Sequence, residues 1–126
     1  MLHLTFNEWP RAQVQCPMGD FFGSAPGVNP LHSLPMTVQP DGTMICRFVM
    51  PFAKSWSLRF QNLGEQAVRI VGQIDTASYL WDPQRSMHFY ARRRANHNLV
   101  AGGGNQAQDL PVLSARGQSV YVGMGC

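Results

Sequence analysis

The chain has 126 residues, 44% hydrophobic, with only 13% charged and a net charge of +3. An ordinary globular domain carries roughly 25% charged residues. The seven carboxylates are Glu8, Asp20, Asp41, Glu65, Asp75, Asp82 and Asp109. No two are close in sequence, which excludes a calcium loop or a DxD-type metal motif. Any catalytic acid pair would have to be assembled by the fold.

A chain of this length is expected to form one domain, residues 1–126, with a core of its own. Prolines at 10, 17, 26, 30, 35, 40 and 51 break the first part into short pieces and exclude a long helix there. The pieces are apolar and alternate with period two, as strands do. Met44, Cys46, Phe48 and Met50 share one face, and Trp56, Leu58 and Phe60 another. Val68 and Ile70 flank Arg69, while Met87, Phe89 and Ala91 alternate with His88, Tyr90 and Arg92. Val120 and Val122 flank Tyr121. Strands are therefore predicted near 2–6, 12–16, 34–39, 43–50, 56–62, 66–75, 86–92, 109–114 and 118–123.

The turns fit between them. Asn7-Glu8-Trp9-Pro10 closes a first hairpin, Pro40-Asp41-Gly42 a tight second one, and Asn62-Leu63-Gly64-Glu65 another. Long loops are expected near 17–33 and 95–108, the latter a mobile surface loop or one ordered by a partner. The fold class is all-β: a single antiparallel β-sandwich of jelly-roll type.

Cys16, Cys46 and Cys126 match neither a disulfide framework nor a zinc pattern; the first two read as small core residues. The histidines lack the i, i+2 or i, i+4 spacing of metal ligands. No cofactor and no metal are expected. No apolar stretch approaches the ~18 residues of a membrane span. The start lacks a signal-peptide pattern, so a cytoplasmic protein is expected.

Few segments can carry chemistry. Asp20, in Met18-Gly19-Asp20-Phe21-Phe22, is more simply a turn residue, with Phe21 and Phe22 plugging the sandwich. Asp75 could accept hydrogen bonds from a sugar or orient an arginine. Trp81, beside Asp82-Pro83, is a candidate stacking platform; Tyr90 reads as a core or cross-strand aromatic. His88 faces away from the core side of its strand, and Arg92 begins the run Arg92-Arg93-Arg94. Asp20, Asp75, Trp81, His88 and Arg92 are the candidate ligand-binding residues, and none is read as catalytic. A triplet of arginines without interleaved aromatics argues against nucleic acid as a partner.

Taken together, several segments resemble one family. Val14 to Gly23 is similar to its "VEVPLGDFFG" signature, and Phe48 to Ser55 to "YFPMPFxKS". Phe60 to Gly64 matches "LENxG", and Gln73-Ile74-Asp75 matches "QIDY" with Thr76 in place of the tyrosine. Met87 to Arg94 is similar to "YFHAQWRR", and Gly117 to Gly123 to "GxGHYVG". The family is domain of unknown function 2961, some members of which are retaining glycoside hydrolases acting on fructofuranose- and D-arabinofuranose-type sugars. Its members carry two tandem jelly rolls and assemble into trimers or hexamers, and the resemblance covers most of the first jelly roll. The family's catalytic carboxylates lie in an "EGDE…GTGTEDYF" region that has no match in this sequence. The resemblance therefore implies a non-catalytic binding or assembly domain, a homo-oligomer with a glycan as the ligand to test. The competing classes are a glycosidase with an acid pair at a subunit interface and a polyanion or RNA binder through Arg92–Arg94.

Overall fold

Strand β1 (Leu2–Phe6) is the centre of the first sheet in the computed structural model, which describes residues 1–98, 111 and 113–124. Its alternation sends Leu2, Leu4 and Phe6 to one side and His3 and Thr5 to the other. Asn7 and Glu8 reverse the chain with φ of 54° and 57°, a left-handed conformation that Asn accepts more readily than Glu. Strand β2 (Val14–Cys16) then pairs antiparallel with β1, setting Leu2 opposite Cys16 and Leu4 opposite Val14. Between the strands, buried Gln13 acts as a substitute peptide. Its Oε1 accepts from the Phe6 N–H at 2.9 Å and its Nε2 donates to the Phe6 carbonyl at 3.4 Å. The first predicted hairpin is thus present, with Gln13 extending its ladder by one rung.

Strand β6 (Trp56–Phe60) pairs antiparallel along the other edge of β1, and β7 (Ala91–Arg92) runs parallel to β2. The sheet order is β6-β1-β2-β7. A second sheet, β3-β4-β5, is wholly antiparallel and is built from Leu31–His32, Met36–Val38 and Met44–Cys46. The Pro40-Asp41-Gly42 turn joins β4 to β5 as the sequence predicts. Gln39 N–H donates to the Thr43 carbonyl at 2.9 Å, and Asp41 Oδ1 accepts from the Thr43 N–H at 2.9 Å. Gly42 supplies the positive φ, 88°, that the turn needs.

The two sheets enclose one apolar interior. Leu2, Val14 and Cys16 are buried with Leu4, Leu58, Phe89 and Ala91 against them; Phe22, Met36 and Val38 are buried with Met44, Cys46 and Phe48. Phe21 belongs to both groups, meeting Phe22 edge-on at 5.0 Å and Phe89 at 6.5 Å. Each fully buried aliphatic or aromatic side chain there contributes roughly 1.5–3 kcal/mol. Cys16 and Cys46 are free thiols packed in this interior, and burial pushes both thiols above their ordinary pKa. The protein is all-β in class, a sandwich of two sheets.

Several expectations are corrected. The segment 17–33 is not simply a loop: it contains a one-turn helix, α1 (Met18–Phe22), and strand β3. Five residues are too few to show a helical period, and the signals are instead Pro17 before the helix and Gly23 after it, at φ 70°. One strand pair, β2 with β7, is parallel rather than antiparallel. Strand 86–92 contracts to Ala91–Arg92, and 43–50 to Met44–Cys46. Residues 66–75 and 118–123 form no strand, because a strand needs a neighbour for its backbone groups and none of the described residues pairs with them. Of the predicted strand 109–114 only 111, 113 and 114 are described, again without strand structure, and most of the 95–108 loop lies outside the described residues.

The contacts divide the chain into a unit that begins at Met1 and runs to Arg93, and a smaller one, Arg94–Met124. Within the smaller unit Arg94 donates to the Pro111 carbonyl at 2.6 Å. Among the described residues no helix is long and apolar enough to cross a membrane.

Candidate functional site

The densest set of polar contacts around a predicted site residue is built on the first hairpin. Asn7, left-handed at the end of β1, places its side chain over the loop before β6. Its Oδ1 accepts from the N–H groups of Ala53 at 3.0 Å, Lys54 at 2.8 Å and Ser55 at 3.5 Å. Backbone donors can be met only by an oxygen, so the amide nitrogen faces the other way. It lies 2.8 Å from His88 Nε2. Asn7 Nδ2 donates, His88 Nε2 accepts, and the neutral imidazole therefore carries its proton on Nδ1.

Aromatic rings cover this histidine. Phe6 stacks on it at 5.7 Å and 11°, and Trp81 lies 4.7 Å away, tilted by 30°. Burial among these rings lowers the His88 pKa. Trp81 is held there by a closed turn. Ser86 Oγ accepts from the Asp82 N–H at 2.9 Å and shares a hydrogen bond with the Tyr79 hydroxyl at 2.8 Å, and Asp82 Oδ1 accepts from the Gln84 N–H at 2.9 Å. Trp81 is accordingly partly buried against His88 rather than fully open to solvent.

The remaining candidates go elsewhere. The Asp20 carboxylate meets Arg93 at 2.6 Å and makes no side-chain cap on α1. Asp75 lies in the exposed stretch after residue 62, where its Oδ1 accepts from Gln73 Nε2 at 2.8 Å. Arg92 donates to Gln15 Oε1 at 3.2 Å and to the Ala12 carbonyl at 2.7 Å. No two of the three successive arginines share a partner. Tyr90 is exposed and not a core residue. The structure brings Trp81 and His88 together and gives Asp20, Asp75 and Arg92 separate local partners.

A histidine that accepts from an amide, lies between rings and has a lowered pKa is a poor general acid. Asp20, Asp41, Asp75 and Asp82 are each engaged by a different neighbour. Among the described residues no three His, Cys, Asp or Glu side chains stand together. Sequence reasoning missed Asn7 and Gln13, read only as turn and strand residues. An Asn following a strand and a Gln preceding the next were the available signals.

The fold and this site define a small β-sandwich with a polar and aromatic corner. A family model described as GH172 domain-like matches residues 1–75, more than half of the 126. The chain belongs to this glycoside-hydrolase-related domain family. No curated protein and no solved structure matches it.

Proposed function

We propose that this domain is a non-catalytic binding and assembly module that pairs with a second copy of itself. One observation carries the reading. Residues 66–75 have the alternation of a strand but pair with nothing among the described residues, and they expose Val68, Ile70, Val71 and Ile74. Leu63, Tyr79 and Leu80 extend the exposed apolar stretch on either side. Apolar surface of this extent marks an interface, and an unpaired strand finds its backbone partners most simply in a copy of itself.

The sequence suggests the register. An antiparallel two-fold pairing centred on Gly72 sets Ile70 opposite Ile74 and Arg69 opposite Asp75 of the other copy. The two isoleucines then meet, and so do the opposite charges. Asp20, Asp41, Asp75 and Asp82, each held by its own neighbour, support a non-catalytic role, since a retaining glycosidase needs two carboxyl groups about 5 Å apart. Membership of a glycoside-hydrolase-related family and the resemblance to the jelly-roll furanosidases support a carbohydrate as the class of ligand.

Light scattering tests the assembly. The wild type should be a dimer or larger at micromolar concentration. Val68→Asp with Ile70→Asp should give a monomer that keeps the spectrum of a folded β protein, and Asp75→Arg should weaken association until Arg69→Asp restores it. A monomeric wild type sinks the reading.

A further inference from the structure

The outward face of the four-stranded sheet carries a second polar surface, unrelated to the His88 corner. Because Leu2, Leu4, Val14, Cys16 and Leu58 face the core, their strand neighbours His3, Thr5, Gln15, Ser57 and Arg59 face out. The register sets Arg59, His3, Gln15 and Arg92 in one row across β6, β1, β2 and β7, with Thr5 beside Ser57 in the next. The connection from Glu8 to Ala12 forms a wall, and together they enclose a cleft of about 550 Å³. Small-molecule sites commonly span roughly 300–1,000 Å³.

Four features give the cleft a chemical preference. His3 is only 8% exposed, yet its Nε2 has no hydrogen-bond partner, whereas buried polar atoms are normally paired. Arg11 and Arg59 line the cleft with Glu8 as its one acid, and the ion pair found among the described residues, Arg93 with Asp20, involves neither of these arginines. Two guanidiniums against one carboxylate leave the cleft cationic. Trp9, 55% exposed, offers an apolar ring on its wall. Arg92 occupies Gln15 Oε1, which leaves the Gln15 amide as a donor beside the hydroxyls of Thr5 and Ser57.

We infer that this cleft binds an anionic saccharide of one or two rings. The carboxylate or phosphate sits on Arg59 and Arg11, a sugar face lies on Trp9, and the ring hydroxyls meet Thr5, Ser57 and Gln15. A bare anion would use the arginines and leave the hydroxyl-lined floor and Trp9 idle, and a neutral sugar would leave the guanidiniums unneutralised. The inference deepens the binding half of the function proposed above and rests on it, but uses none of the residues of the self-association surface.

Calorimetry on the intact protein with digalacturonate, glucose 6-phosphate, maltose and inorganic phosphate tests it. At least one of the two anionic sugars should bind tenfold or more tighter than both maltose and inorganic phosphate. Whichever of the two is tighter tells carboxylate from phosphate. Arg59→Gln and Trp9→Ala should each weaken that binding about tenfold, the scale of one charge-assisted hydrogen bond, with melting unchanged because both side chains are exposed. Equal affinity for all four ligands, no binding of any, or variants that bind like the wild type overturn the inference. Light scattering on the same samples separates the two readings: an oligomer that binds nothing retains the assembly role and loses the cleft, and a monomer that binds does the reverse.

Discussion

Residues 1–60 and residues 61–80 have similar alternating patterns and opposite fates. Among the described residues, the first stretch contains six of the seven strands and the buried side chains; the second contains no strand and is exposed along its length. Val14 is 0% exposed, whereas Val71 is 82% and Leu80 92% exposed. Period-two alternation is therefore a statement of which side chains could be buried together, and pairing partners decide whether they are. In residues 1–60 each strand has a neighbour within reach, through the Asn7 hairpin, the Pro40–Gly42 turn or the return of β6 to β1. Residues 61–80 have the pattern without a neighbour.

Truncating one side chain in each region exposes the difference most sharply. Phe6, 2% exposed, packs inside the sheet and stacks on His88. Phe6→Ala should cost about 3–5 kcal/mol by lost burial and the cavity left behind. Leu80→Ala should cost less than about 0.5 kcal/mol in the monomer, as surface changes do. Urea unfolding of both variants checks the contrast. Similar losses would mean that residues 61–80 are buried in the folded monomer after all.

The hairpin that makes the first region possible hangs on a side chain that looks incidental. Asn7→Ala removes the acceptor for Ala53, Lys54 and Ser55 and the donor to His88. Partly exposed bonds of this kind sum to about 1–2 kcal/mol net, because water replaces some of them. Denaturant midpoints should fall accordingly, while the spectrum of the folded state stays that of a β protein. At the surface, Arg93→Gln should cost less than about 1 kcal/mol, since side chains that are 50% and 28% exposed form the Arg93–Asp20 pair.

This gradient also marks how much the sequence discloses. Strand β1, the Asn7 turn and the Pro40-Asp41-Gly42 turn are legible because their signals are local: alternation over five residues, then residue types that tolerate tight backbone reversal. Helix α1 is not, since one turn cannot display a period of 3.6. The absence of a strand at 66–75 is not legible either, because it depends on what lies beside the segment. The same division holds for the site. Trp81 and His88 could be named as candidates one by one, but their stacking needs the Asp82–Ser86 turn and the return of the chain to β1. The Asn7–His88 bond spans 81 positions, beyond any local pattern.

The smallest effect, and the most specific, concerns the protonation of His88. Burial lowers its pKa below the ordinary value of about 6.5. Above that value the imidazole is neutral both folded and unfolded, and its contribution to stability is fully present. As pH falls below it, the unfolded chain takes up the proton first, so stability declines until the folded pKa is passed. His88→Gln keeps an acceptor for Asn7 and should remove that part of the pH dependence, seen as the difference between the two stability profiles as pH falls below the ordinary histidine value. Asn7→Asp should act in the opposite direction. One carboxylate oxygen still accepts from the 53–55 backbone, but the other now faces Nε2, which must carry a proton to meet it, as the Nε2–H tautomer or as the imidazolium, and the carboxylate charge favours the imidazolium. The His88 pKa should then rise above that of the wild type, read by NMR titration of the ring. An unchanged titration in Asn7→Asp would show that Asn7 does not set the tautomer of His88.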